Sequence, residues 1–470
     1  MILRVHLSNI VTIIKDENPG LDVSRLRNSF TFGNPKFYEL ERLGFSTYAT
    51  PQTISLIDET SETYELPRGV VSELFKTYPK LTVNDKTATN PVKFSSSNII
   101  LKSFQKEPVE KLSKKNQGVV VGPPGIGKTV LGIETIISQA QKSLILVHTK
   151  DLAQQWRDRF QSFTDIEPGL IDSENYDVRD VTIGMVQSLN RPLEPSFTSK
   201  FGLVLLDEAH HAPAFTFQKL INQFPARYRY GLTATPERSD GLSFLLHATL
   251  GPVISVIQKD CLYLNGDIIK PRVKVIYTNF YMPDCRDYGQ LLAAITKDDD
   301  RSHLILRFLQ GEATVGHFCL VLSERISHIK KLHELFSGMC PDIHTACITS
   351  KNTKDQRNDA IKRMNQGNLS VLFATKIADE GLDIRRLDRL FLTCPVRSTN
   401  KVTQQIGRIQ RAFPGKHDAV VYDFVDSLCG LAKSQFYSRR RKAYAGFEIK
   451  EIKYESENTK DASRDFRKAI

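Results

Sequence analysis

Residues 122–129 read Gly-Pro-Pro-Gly-Ile-Gly-Lys-Thr, and this octapeptide restricts the fold more than any other stretch of the chain. Gly122, Gly127, Lys128 and Thr129 satisfy the spacing G-x-x-x-x-G-K-S/T of a P-loop. An apolar run, Val119 to Val121, comes before it, and an amphipathic stretch, Val130 to Ala140, comes after. The setting is therefore strand, glycine-rich loop, helix. Such a loop turns backbone N–H groups inward as an anion nest, and the helix adds its positive dipole end. Gly122, Pro123, Pro124, Gly125, Ile126 and Gly127 are expected to cradle phosphate. Lys128 is expected to reach the β- and γ-phosphates, and Thr129 to hold Mg²⁺.

The second half of the site is expected about 80 residues on. The run Phe201-Gly-Leu-Val-Leu-Leu206 suits a buried parallel strand and ends in Asp207-Glu208-Ala209-His210. Carboxylates at the C-terminal end of a central strand lie where an open α/β sheet places its ligands. Asp207 is the expected Mg²⁺ ligand, and Glu208 the group that polarises an attacking water.

The alternation of apolar runs and helical patterns predicts an α/β fold with two doubly wound parallel sheets in tandem. The first sheet is expected from the runs 119–121, 144–147, 181–186, 203–206 and 229–233. The second is expected from 318–322, 345–348, 370–374, 389–393 and 419–422. Residues 1–95 read as a small α+β accessory domain, 96–258 as the P-loop domain, and 259–300 as a connector. Residues 301–435 read as the second sheet domain and 436–470 as a basic helix and tail.

No run of about 18 apolar residues occurs, and the first residues lack a signal-peptide pattern, so no membrane partner is expected. The seven cysteines are scattered without a C-x-x-C pair, which fits a reducing compartment and indicates neither a zinc ribbon nor a disulfide framework. Lys+Arg 64 against Asp+Glu 53 gives +11, an excess that favours a polyanion partner or serves solubility alone. Asp298-Asp299-Asp300 reads as a solvated helix cap, and Arg439-Arg440-Arg441-Lys442 as a solvated helix, with contact to DNA or to a targeting receptor as the alternatives.

At this point the chain resembles the superfamily 2 helicases, whose motifs recur in order over residues 100–430 or so. Gln105, in Leu101-Lys-Ser-Phe-Gln-Lys-Glu, resembles the family's adenine-reading glutamine. Val147-His-Thr-Lys-Asp-Leu-Ala-Gln-Gln-Trp156 resembles motif Ia, which implies nucleic-acid contact by Thr149 and Lys150; His148 stands where the family usually has Pro. Trp156 reads as helix packing in preference to a stacking platform. Val181 to Asn190 resembles the next nucleic-acid motif, with Gln187 and Ser188 near the phosphates. Thr233-Ala234-Thr235 matches motif III, which couples hydrolysis to strand binding, and His210 is implied to hydrogen-bond between motifs.

The second sheet supplies the remaining likeness. Leu320-Val-Leu-Ser-Glu-Arg325, with Ser323, resembles motif IV. Ala374-Thr-Lys-Ile-Ala-Asp-Glu-Gly-Leu-Asp383 resembles motif V, which implies that Thr375 touches the nucleic-acid backbone and that Gly381 and Asp383 lie near the nucleotide. Gln404-Gln-Ile-Gly-Arg-Ile-Gln-Arg411 resembles motif VI, with Gln404 in the site and Arg408 and Arg411 as arginine fingers. Asp207-Glu-Ala-His-His-Ala-Pro213 and Gly231 to Gly241 resemble the branch that holds XPB, UvsW and restriction-enzyme translocases, including short members from large DNA viruses and phages.

The resemblance implies two RecA-like domains, ATP and Mg²⁺ as cofactors, and movement along nucleic acid, DNA before RNA. It implies a monomer that is intracellular and soluble, in the cytoplasm or nucleus, or in a host cell or virion. An RNA helicase, a nucleoprotein-remodelling ATPase and a non-hydrolysing scaffold are the alternatives. The retained Lys128, Asp207, Glu208, Arg408 and Arg411 argue against the last.

Overall fold

The structure is a computed structural model that describes residues 2–208, 214–234, 241–375, 384–396 and 398–453. The chain forms two compact units, Met1–Lys259 and Asp260–Ile470.

The first unit carries a mixed sheet and a parallel one. In the mixed sheet, β1 (Leu3–Leu7) lies between β2 (Ile10–Ile14), antiparallel to it, and β7 (Leu81–Asp85), parallel to it. A separate hairpin joins β3 (Thr31–Gly33) to β4 (Thr53–Ser55). β5 (Asp58–Glu59) and β6 (Thr63–Pro67) extend the sheet beyond β2, giving the order β5-β6-β2-β1-β7. Its buried face, which includes Leu3, Val5, Val11, Ile13 and Leu66, shares one core with Leu245 and Ala248 of the helix Ser243–Leu250. Buried Arg68, just past β6, donates to the carbonyls of Ala226 and Arg227, which lead into the strand Tyr228–Thr233 of the parallel sheet. The accessory layer is thus welded to its neighbour by apolar burial and by a satisfied buried cation.

The parallel sheet of the first unit consists of β8 (Gln117–Val121), β9 (Ser143–Val147), β10 (Gly169–Ile171), β11 (Val181–Met185), β12 (Leu203–Asp207), β13 (Tyr228–Thr233) and β14 (Val253–Val256). Their order is β10-β11-β9-β12-β13-β8-β14, with every pairing parallel. β9, β11 and β12 are buried along their whole length, which explains why they read as unbroken apolar runs.

The second unit repeats the plan with β15 (Arg272–Tyr277), β16 (Cys319–Leu322), β17 (Thr345–Ile348), β18 (Val371–Ala374), β19 (Arg389–Leu392), β20 (Val420–Val425) and β21 (Glu448–Lys453). The order is β17-β18-β16-β19-β20-β15-β21, again all parallel. Both predicted sheets and the small mixed sheet are therefore present. Two segments differ from the reading of the sequence. Residues 272–277, within the expected connector, form an inner strand between β20 and β21. Residues 448–453, within the expected tail, form an edge strand beside it. Both are interrupted by charges, and those charges find partners far along the chain: Lys274 donates to the Tyr422 hydroxyl, and Glu451 accepts from Tyr277.

The basic run before β21 is also divided. Arg440 is buried, and its guanidinium binds Asp423 and the carbonyls of Cys394 and Phe424, while Arg441 and Lys442 are exposed. Asp298 caps the helix Asp299–Thr314 by accepting from the N–H of Arg301, as a solvated cap should. All seven cysteines are free thiols. Among the described residues no helix is long and apolar enough to cross a membrane.

Candidate functional site

Strand β8 runs straight into the glycine loop, which closes onto the helix Lys128–Gln139. Gly125 and Gly127 have φ of +89° and +82°, a region that side chains rarely enter, so glycine is required where the loop reverses. The Gly122 N–H is anchored to the Thr233 carbonyl at 2.9 Å, which ties the loop to the end of β13. Lys128 and Thr129 open the helix, where free backbone N–H groups collect.

Gln105 lies beneath this loop. Its Nε2 donates to the Ile126 carbonyl at 2.7 Å, and its Oε1 accepts from the Lys102 N–H at 2.9 Å. The buried amide thus holds the loop and caps its own helix, leaving one N–H and one lone pair for any base.

Asp207 ends β12, 4% exposed, with Glu208 directly after it. Glu208 has φ of +50°, an uncommon conformation for a side-chain-bearing residue. The turn is held by the Glu208 N–H donating to Asp207 Oδ1 at 3.0 Å. It aims the Glu208 carboxylate at Lys128, with Nζ to Oε1 of 2.9 Å. Burial, and next the charge of Glu208, push the Asp207 carboxyl up to about 6; Lys128 and a bond from Trp156 oppose this.

That bond is the feature the sequence reading missed. The indole Nε1–H of Trp156 donates to Asp207 Oδ2 at 2.8 Å, and the ring is wholly buried. Trp156 does pack inside its helix, as expected, but it also touches the acidic end of β12. Nothing in the spacing announces a contact across 51 residues.

The other expected residues of the first unit lie close by along the C-terminal rim of the sheet. Thr149 caps the helix Lys150–Phe163, accepting from the Leu152 N–H, so its hydroxyl is used locally. Lys150 is exposed and paired with Glu174 at 2.9 Å. Gln187 donates to the His148 carbonyl, and Ser188 sits beside it in the short helix Val186–Leu189. Thr233 is buried. His210 and Thr235 lie outside the described residues.

In the second unit, the ends of β16, β18 and β19 border a shallow, open cleft lined among others by Ser323, Glu324, Thr375, Cys394, Lys401 and Gln405. Two of the expected residues, Ser323 and Thr375, therefore share one cleft. Lys401 pairs with Glu324 at 3.0 Å, and Ser323 Oγ bonds His328 Nδ1 at 3.0 Å. Burial lowers the His328 imidazole to about 3, so it is neutral.

The helix Thr399–Ile409, capped by Ser398, carries half-buried Gln404 and buried Arg408. Arg411 follows its end. Burial, and then Arg385, lower its guanidinium to about 10, which leaves it cationic at neutral pH. Lys416 clamps the turn by donating to the carbonyls of Ile409 and Arg411. Gly381 and Asp383 lie outside the described residues. A separate group, His317, Asp388 and Asp418, has metal-ligand spacing, but its ligand atoms are already engaged: the Arg389 guanidinium bonds His317 Nε2 and the Asp418 carboxylate, and the Asp388 carboxylate bonds His317 Nδ1 and accepts from the Phe318 N–H.

Residues 90–238 match the family of type III restriction enzyme res subunits, and residues 300–413 match the helicase conserved C-terminal domain. A protein named DNA 3'-5' translocase XPB2, from Sulfurisphaera tokodaii, is 26% identical over 388 residues, covering 75% of this chain and 87% of its own. A protein of Acanthamoeba polyphaga mimivirus with the provisional name ATP-dependent RNA helicase L396 is 27% identical over 487 residues, covering 95% and 82%. The restriction-modification enzyme LlaBIII, solved bound to DNA, superposes with a TM-score of 0.59 at 15% identity over 80% of this chain and 32% of its own, a likeness of fold. With the two family models together spanning more than half of the chain in the expected order, this protein belongs to the ATP-hydrolysing superfamily 2 helicases, in the branch of XPB and the restriction translocases.

Proposed function

We propose that the protein is an ATP-dependent motor on DNA, acting on duplex or branched substrates. The observation that carries this reading is the meeting of Lys128, Asp207 and Glu208 at the mouth of a glycine loop, within 2.9 Å for the lysine and glutamate. In the proposed roles, Lys128 grips the β- and γ-phosphates and Glu208 orients the attacking water. Two adjacent carboxylates and the Thr129 hydroxyl are hard oxygen donors in a largely buried setting with one lysine, a set that suits Mg²⁺. Thr129 and Asp207 would hold the ion, which when bound neutralises charge on the phosphate oxygens. Arg408 and Arg411, with Gln404, are proposed to supply the cationic stabilisation of the transition state.

Backbone contacts are proposed for Thr149, Lys150, Gln187, Ser188, Ser323 and Thr375, so binding should depend on salt more than on sequence. The XPB2 likeness supports DNA. The mimivirus relative, aligned along nearly the whole chain, favours RNA as the second reading.

The test is the steady-state ATPase rate without nucleic acid, then with single-stranded, duplex and branched DNA and with RNA, at matched salt. Lys128→Ala serves as the inactive control. Stimulation by duplex or branched DNA is expected, with turnover abolished in the variant. Stimulation by RNA alone would move the protein to the second reading, and turnover retained by Lys128→Ala would remove the P-loop assignment.

A further inference from the structure

We propose that Trp156 is a positioning residue: its indole N–H fixes the Asp207 carboxylate and links the helix Lys150–Phe163 to the hydrolytic centre. Each oxygen of Asp207 has one donor. Oδ1 takes the Glu208 N–H at 3.0 Å and Oδ2 takes the indole at 2.8 Å. Together they fix the plane of the carboxylate, and so the lone pairs left for a ligand. A bond to an ionised acceptor in a buried setting is among the stronger hydrogen bonds.

The ring has no freedom to drift. It is wholly buried, and it lies against Gly132 of the P-loop helix, where a Cβ would come within 2.5 Å of the indole Cη2. Phe160 lies next to it, with ring centroids 6.2 Å apart. The absence of a side chain at Gly132 is what lets the two helices close on the indole.

The same helix begins at Thr149 and Lys150, six residues before Trp156, or about 9 Å along the axis. A rigid helix moves as one body. A strand engaged at its N-terminus therefore displaces the indole, and the indole displaces Asp207. This step rests on the reading of Thr149 and Lys150 as nucleic-acid contacts; the indole–carboxylate bond does not.

Trp156 is the only tryptophan of the chain, which makes both parts measurable. Replacing it with its benzothiophene isostere removes the N–H and keeps the shape. In the full chain this substitution is expected to cut basal kcat about tenfold, the usual cost of losing an outer-shell partner, with the KM for ATP unchanged and the chain still folded at a modestly lowered melting temperature. Gly132→Ala, which keeps the indole but moves it, is expected to show the same loss with a shifted tryptophan emission. Unchanged kcat in a folded isostere variant would reduce Trp156 to filler. For the link, duplex DNA added to the native chain without nucleotide is expected to change tryptophan emission in step with binding followed by anisotropy of labelled DNA. Binding with constant emission would overturn the link. A chain that binds no DNA, yet loses basal kcat in the isostere, would support the positioning role and overturn the proposed DNA contacts alone.

Discussion

The two parallel sheets share one plan, strand for strand. The order β10-β11-β9-β12-β13-β8-β14 maps onto β17-β18-β16-β19-β20-β15-β21, so β8 corresponds to β15 and β13 to β20. Where β8 opens into the glycine loop, β15 opens into Thr278-Asn279-Phe280-Tyr281. Where the first sheet keeps a lysine facing two carboxylates, the second has Arg301 bound to Asp426, with side chains 1% and 0% exposed, and Thr278 donating to the same carboxylate. The carboxyl ends of matching strands are a site in one sheet and a weld in the other, with the weld's carboxylate one strand over, after β20 where the first sheet uses β12. Topology offers the crevice; the side chains decide whether it stays open to a ligand. A shallow cleft of the second sheet lies instead at the ends of β16, β18 and β19.

The largest test of this contrast is Arg411→Ala. If the second sheet contributes cationic charge and no phosphate cradle, ATP affinity stays near native while turnover falls by about 10³–10⁵. Equal loss of affinity and turnover would mean that the two sheets do not divide the labour in this way.

Asp426→Asn tests the weld. It leaves Arg301 without its full counter-charge in a dry interior, and breaking such a pair costs about 3–5 kcal/mol. Calorimetry should show a lowered melting temperature with ATP affinity unaltered. A fall in ATP affinity with stability intact would mean that the crevice is a ligand site after all.

A third test concerns His328. Its folded-state value, about 3, lies below the ordinary 6.5, so the unfolded chain takes up a proton that the fold refuses. Its contribution is present above pH 6.5 and is lost as pH falls toward 3, by about 1.4 kcal/mol per unit. His328→Leu should flatten that part of the stability curve relative to the native chain; identical slopes would contradict a neutral imidazole behind the second cleft.

How much of this was legible follows from where each signal lies. β9, β12, β16 and β18 read directly, because strands covered on both faces must be apolar throughout. The glycine loop and Asp207-Glu208 read directly, because phosphate chemistry needs those groups in local order. β15 and β21 did not, since Arg272, Lys274, Glu448 and Lys450 break the pattern and their compensation is tertiary. The run Arg439–Lys442 looked uniform, yet Arg440 alone among its described side chains meets a buried carboxylate, Asp423. Trp156 was recognised as interior, but its donor role needed Asp207 in space. Gln105 was read as an adenine-reading glutamine, while the commitment of its amide to Ile126 and Lys102 was invisible.

The shared core between the N-terminal sheet and the helix Ser243–Leu250 bears on how this protein can be cut. Gly69 sits so close that a Cβ there would lie 2.3 Å from the His247 carbonyl oxygen, and Phe32 stacks on Phe244 at 4.5 Å. A chain started near residue 96 would bare that apolar stripe and leave the Ala226 and Arg227 carbonyls without the Arg68 guanidinium. The first 85 residues are therefore an outer wall of the motor and no detachable attachment, and a shortened version meant to isolate the motor would expose an adhesive surface in its place.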